Sequence, residues 1–146
     1  MGLFSFIKSV GESLGIGKAD APPPADKISD AIKDLGLNVD GLDIQVEGDK
    51  AIVKGAVADQ ATLEKVVIAI GNTMGIGSVD AQLEARSVGP APVLHTVVKG
   101  DTLSHIAKKH LGSANKYPAI FEANKPMLKH PDKIYPGQVL RIPQDD

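Results

Sequence analysis

With 146 residues, 42% hydrophobic and 23% charged, the chain can fill one modest core or two small ones, leaving little room for elaborate catalytic architecture. It contains no cysteine, which excludes disulfides, thiolate metal sites and cysteine nucleophiles and suits a reducing, cytoplasmic compartment. The net charge of -2 conceals a split: residues 1–94 carry 8 Lys+Arg against 13 Asp+Glu, and residues 95–146 carry 8 against 5. This disfavours nucleic acid as a partner of the acidic part and favours contact between the two halves of a monomer.

At the start, Leu3, Phe4, Ile7, Val10 and Leu14 recur at helical spacing, predicting an amphipathic helix over residues 1–18 that Gly15 and Gly17 end. The segment has no basic leader or cleavage signature, and no later run reaches membrane-spanning length, so the protein is expected to stay inside the cell. Residues 19–25, Ala-Asp-Ala-Pro-Pro-Pro-Ala, form a stiff, extended linker.

From Asp26, read as an N-cap, Ile28, Ala31, Ile32 and Leu35 mark one helical face, and Gly36 suits the left-handed position past its end. Leu42, Ile44 and Val46 alternate with polar residues, Gly48 and Asp49 turn the chain, and Ala51 to Val57 is strand-like again, giving a hairpin. After Asp59, a second cap, Leu63, Val66, Val67, Ile70 and Met74 define another helix. Val79, Ala81, Leu83 and Ala85 then alternate as a strand with one solvated face. The order over residues 26–86 is αββαβ. With its "AIVKGAV" strand, acidic cap and "GIGSVDAQL" ending, this stretch resembles a BON domain, a resemblance that implies binding or membrane attachment and no catalytic machinery.

A second linker, residues 87–94, contains Gly89, Pro90 and Pro92. In residues 95–143, Asp101 is placed to cap a helix burying Leu103, Ile106 and Ala107, with His110 partly packed. A following helix buries Ile120 and Phe121. Val97 and Val98 begin one strand; Val139, Leu140 and Ile142 form another after the turn Tyr135-Pro136-Gly137-Gln138, giving βααβ. The segments "HTVVKGDTLSHIAKKHLG", "IFEANKPM" and "PDKIYPGQVLRIP" resemble the LysM signature. That resemblance implies a shallow groove for N-acetylglucosamine-containing glycans, formed by Gly100, Asp101, Thr102 and Leu103 on one side and Ile134, Tyr135 and Pro136 on the other. Against glycan binding stand the 3% aromatic content and His95 where the family often has Tyr.

The fold class is therefore α+β: an N-terminal helix, an αββαβ domain and a βααβ domain. No nucleophile elbow, phosphate loop or paired acid motif is present, and the chain reads as a non-enzyme. His105 and His110, five apart, do not form a zinc pair; His95 reads as strand surface and His105 as a solvated helix position. Lys108, Lys109 and the run from Lys125 to Lys133 read as a solvated basic face, alternatively docking on the acidic half.

From "MGLFSFIKSVGESLG" through "GNTMGIGSVD" to the last strand, the whole chain resembles a family of bacterial cytoplasmic potassium-binding proteins. The resemblance implies K+ as ligand. A large monovalent ion can be held by neutral carbonyls in place of its hydration shell, without clustered carboxylates. Helix ends leave such carbonyls unpaired. The expected donors are Ile7, Val10 and Glu12 at the end of the first helix and Gly71, Thr73 and Ile76 after the helix preceding the last strand of the acidic half, where glycines at 71, 75 and 77 free the backbone.

Overall fold

A computed structural model describes residues 2–6, 24–73, 75–87, 93–125, 128, 130, 131 and 133–143. Among these residues the first part forms one four-stranded sheet with two helices, and the second a two-stranded sheet with two helices and a 3-10 turn.

The chain opens with a strand, β1 (Gly2–Ser5), where the sequence pattern predicts a helix. Leu3 and Phe4 satisfy a helical spacing, but Phe4 and Phe6 also alternate with period two, and both rings pack on the core. β1 pairs antiparallel with β4 (Ser78–Ser87) in the register Phe4↔Val79. Ile7, Val10, Glu12 and Leu14, and the glycines at 15 and 17, lie outside the described residues.

Helix α1 (Ala25–Asp34) begins one residue before the predicted cap. Pro24 holds the N-cap position, its carbonyl accepting from the Lys27 and Ile28 N–H groups, and Asp26 sits in the first turn. Gly36 takes the left-handed conformation expected of it, φ 78°. The hairpin β2 (Asp40–Glu47) and β3 (Lys50–Asp59) turns at Gly48 and Asp49, with Ile44 facing the core. Asp59 caps α2 (Gln60–Gly71) as predicted, accepting from the Thr62 N–H at 2.8 Å. A crossover through α2 then sets β4 parallel to β3, giving the sheet order β1-β4-β3-β2.

Helix α2 is buried almost all round: Leu63, Val66, Val67 and Ile70 join the core of the sheet, while Glu64, Ile68 and Asn72, spaced by four, form another buried face. A helix apolar on every side needs cover on every side.

In the second part, β5 (Leu94–Thr96) pairs with β6 (Val139–Arg141) around α3 (Leu103–Leu111), the 3-10 turn Ala114–Lys116 and α4 (Tyr117–Ala123). β5 ends before Val97 and Val98, although Val97 still exchanges backbone bonds with Gln138 and Gly137. Leu103, Ile106, Ala107, Ile120, Leu140 and Ile142 fill the core. Thr102, not Asp101, caps α3, accepting from the His105 N–H at 3.1 Å.

Candidate functional site

The end of α2 is buried and neutral. Gly71, Asn72, Thr73, Gly75 and Ile76 are all buried, with Thr73 and Ile76 fully so. Helix geometry leaves the last carbonyls of α2 without intrahelical donors. Local bonds engage some of them: the Asn72 N–H donates to Ile68, Thr73 N–H to Ile70, Thr73 hydroxyl to Ala69 and Ile76 N–H to the Thr73 carbonyl. Among the described residues, the carbonyls of Gly71, Asn72 and Ile76 receive no such donor. Gly75 takes φ 96°, and this left-handed step turns the chain back toward β4. Beyond it, the Gly77 carbonyl accepts from the Phe6 N–H at 2.9 Å, and the Asp49 carbonyl accepts from the Gly77 and Ser78 N–H groups.

Gly71 is glycine for a packing reason. A Cβ there would stand 2.1 Å from Phe6 Cζ, so the ring of the residue following β1 lies directly on the helix end. Of the residues expected to hold an ion, Gly71, Thr73 and Ile76 therefore share one buried turn. Ile7, Val10 and Glu12 lie outside the described residues, one residue and more beyond Phe6. No three His, Asp or Glu side chains converge on a metal position among the described residues. A cation at the α2 end would meet main-chain oxygens, a donor set fitted to a weakly hydrated monovalent ion rather than to calcium or zinc.

The same turn reaches β6. Backbone groups of residues 138 and 142 bond to Val97 and Val93 on the β5 side, so those of Val139 and Arg141 point away from it. Two asparagine side chains close this outer edge. The Asn72 amide donates to the Val139 carbonyl at 2.7 Å and accepts from its N–H at 2.9 Å. The Asn124 amide does the same for Arg141, at 2.9 and 2.8 Å, and also donates to the Ile120 carbonyl. Between them Arg141 extends its guanidinium to Glu64, 2.9 Å away, with side chains 12% and 5% exposed. Burial, reinforced by the Arg141 charge, lowers the pKa of nearby Lys65. Sequence reasoning missed Asn72, Glu64 and Arg141; the one available signal was the unbroken apolar run 66–70, too wide for a helix with a wet face.

In the second part, the Val97–Gly137 and Val97–Gln138 bonds close one end of the β5–β6 pair, with the loop Gly100 to Leu103 following Val97 and the turn Ile134 to Pro136 preceding Gly137. Leu103 is core and Thr102 is engaged as a cap, while Tyr135 is half-buried. His95, expected on the surface, is half-buried instead, its side chain 10% exposed. Its Nε2 meets Asp101 Oδ2 at 2.9 Å and its Nδ1 meets His110 Nε2 at 3.0 Å. A polar ring can be buried here because both nitrogens are paired. Hydrogen bonds from the His95 ring and the Val98 N–H hold the Asp101 carboxyl below the usual carboxylate range; burial, with the charges of His95 and Lys109, pushes His110 down.

The LysM domain family matches residues 95–143. Over 149 aligned positions the chain is 47% identical to the potassium binding protein Kbp of Escherichia coli O6:H1, across 99% of this chain and 100% of that protein. An uncharacterized protein of Deinococcus radiodurans is 28% identical over 113 residues, 70% of this chain and 44% of the relative. The uncharacterized protein YqbP of Bacillus subtilis is 41% identical over 63 residues, 37% of this chain and 29% of its own.

Proposed function

The chain belongs to the family of the potassium binding protein Kbp, and from that membership we propose that it binds K+ through main-chain oxygens at the end of α2, as a cytoplasmic ion sensor rather than an enzyme. The observation that carries the reading is the set of buried carbonyls at Gly71, Asn72 and Ile76 without donors among the described residues. A buried carbonyl left unpaired costs free energy, and a cation removes that cost. The ion is large and singly charged, so a neutral cage replaces its water without the strong field of carboxylates. Thr73 completes the turn, its carbonyl retaining a second lone pair beside the bond from Ile76. Ile7, Val10 and Glu12, which lie outside the described residues, are the remaining donors in this reading. Residues 26–86 are read as a BON-type domain, with β1 added as an edge strand.

Titration calorimetry with KCl against matched NaCl tests this. Saturable heat with potassium and a much weaker response to sodium is the expected result; no saturable potassium heat, or equal heats, rejects a selective sensor.

A second reading draws on the LysM match: residues 100–103 and 134–136 hold an N-acetylglucosamine-containing glycan at the adjoining loops. Its support is thinner, because Leu103 is core and His95 is turned inward onto Asp101. A chitooligosaccharide titration that shifts Gly100 and Tyr135 amide resonances would favour it.

A further inference from the structure

We infer that Asn72 is the positioning residue through which ion occupancy at the end of α2 is transmitted to the LysM module. The inference rests on the potassium reading above and adds to it a route and a residue. Asn72 stands in both places at once. Its main-chain carbonyl is one of the three buried oxygens at the helix end, and its side-chain amide forms the two bonds that complete the β6 edge at Val139.

The edge explains why the second contact matters. Val139 is buried, with its N–H and C=O turned away from β5. Within the LysM module Asn124 satisfies the equivalent groups of Arg141, but among the described residues those of Val139 find their partner on α2 alone. A buried strand residue that loses both partners loses two hydrogen bonds, so the module is stable in this position only while the Asn72 amide is correctly presented. The asparagine stem is short, with two side-chain torsions, and both bonds are near their best length. Holding the residue 72 carbonyl on an ion restrains the ψ torsion of Asn72 at the helix end, and that torsion relates the carbonyl to the Cα–Cβ bond. Glu64, two turns upstream on the same face, pairs with Arg141 and makes a second tie, but it touches none of the ion oxygens. By linkage, whatever docking gains from the ion, the ion gains from docking.

The test uses the full chain and KCl, followed by amide resonances of two groups: Thr73 and Ile76 at the helix end, Val139 and Arg141 on β6. In the unsubstituted protein both groups move with one midpoint. In Asn72→Ala, which keeps the main-chain carbonyl, the helix-end group still moves, with a midpoint at least threefold higher, and the β6 group no longer follows potassium. β6 resonances that track potassium at the original midpoint in Asn72→Ala overturn the inference. A chain without substitutions that shows no potassium response removes the potassium reading and this inference together, which separates that failure from a failed route.

Asn72→Asp supplies a readout that a merely structural role would not move. A carboxylate can accept from the Val139 N–H but cannot donate to its carbonyl. Asn72→Asp therefore keeps the shape of the side chain but loses the bond to the Val139 carbonyl, so the β6 group no longer follows potassium while the helix-end group still moves. An Asn72→Asp variant whose β6 group tracks potassium at the original midpoint contradicts the route.

Discussion

Helices α2 and α4 end alike and do different work. Gly71-Asn72 closes one and Ala123-Asn124 closes the other, and each asparagine spans a β6 residue with a pair of amide bonds. Asn124 is itself buried, but its flank is charged and exposed: Lys125 pairs with Glu122 at 2.9 Å and lies over the Phe121 ring. Around Asn72 the setting is dry and neutral, with Thr73 and Ile76 fully buried and Phe6 set against Gly71. One amide device thus serves a module's own fold at α4, and joins that module to another at α2. What differs is whether the neighbouring carbonyls find protein donors: those of Ile120 through Asn124 do, those of Gly71, Asn72 and Ile76 do not among the described residues, and only the latter end is suited to an ion.

Substitutions can break this comparison. Arg141→Met leaves Glu64 buried without its counterion and is expected to cost about 3–5 kcal/mol in urea unfolding; the double change Arg141→Met, Glu64→Leu recovers most of it. A single change as mild as the double one would place the pair in solvent. Next comes Asn124→Ala, which strips the Arg141 edge and is expected to cost about 2–4 kcal/mol, with faster amide exchange confined first to the LysM module. The helix-end resonances at Thr73 and Ile76 should keep their response to potassium.

Gly71→Ala gives α2 the ending of α4. The added methyl must evict the Phe6 ring, at about 1–3 kcal/mol, so exchange at Phe4 and Phe6 rises and potassium heat falls. Unchanged protection of Phe4 would show that the ring does not need that place. The smallest expected effect lies on the opposite, β5 side of β6, where pairing titrates. The folded protein holds His110 below its ordinary value of 6.5, favouring the neutral ring. Its contribution is fully present above pH 6.5 and drains as pH falls toward the folded value. Stability should decline from pH 7.5 to 5.5, and His110→Gln should flatten that slope; amide caps do not titrate, so a slope that persists unchanged would lie elsewhere.

Much of this was readable in residue order. The period of Leu42, Ile44 and Val46, the cap at Asp59, the turn at Gly48 and the left-handed Gly36 are local devices, fixed by neighbours within a few positions. The LysM pattern was legible for the same reason. Where two local patterns compete, order along the chain does not decide: Leu3 and Phe4 fit a helix, yet β4 offered an edge, and Phe4 and Phe6 took it in alternation. Asp101 had the chemistry of a cap, but His95 and the Val98 N–H claimed its carboxylate and left α3 to Thr102.

Apart from β1, the sequence by itself determined where the helices and strands form, because backbone propensity, caps and apolar period act within one element. Only the tertiary structure decided what the ends of those elements meet. Asparagine after a helix is an ordinary terminator until a strand from a position 67 residues away needs both of its amide atoms. Partners so far apart leave no spacing rule to read, because their meeting depends on how whole surfaces pack.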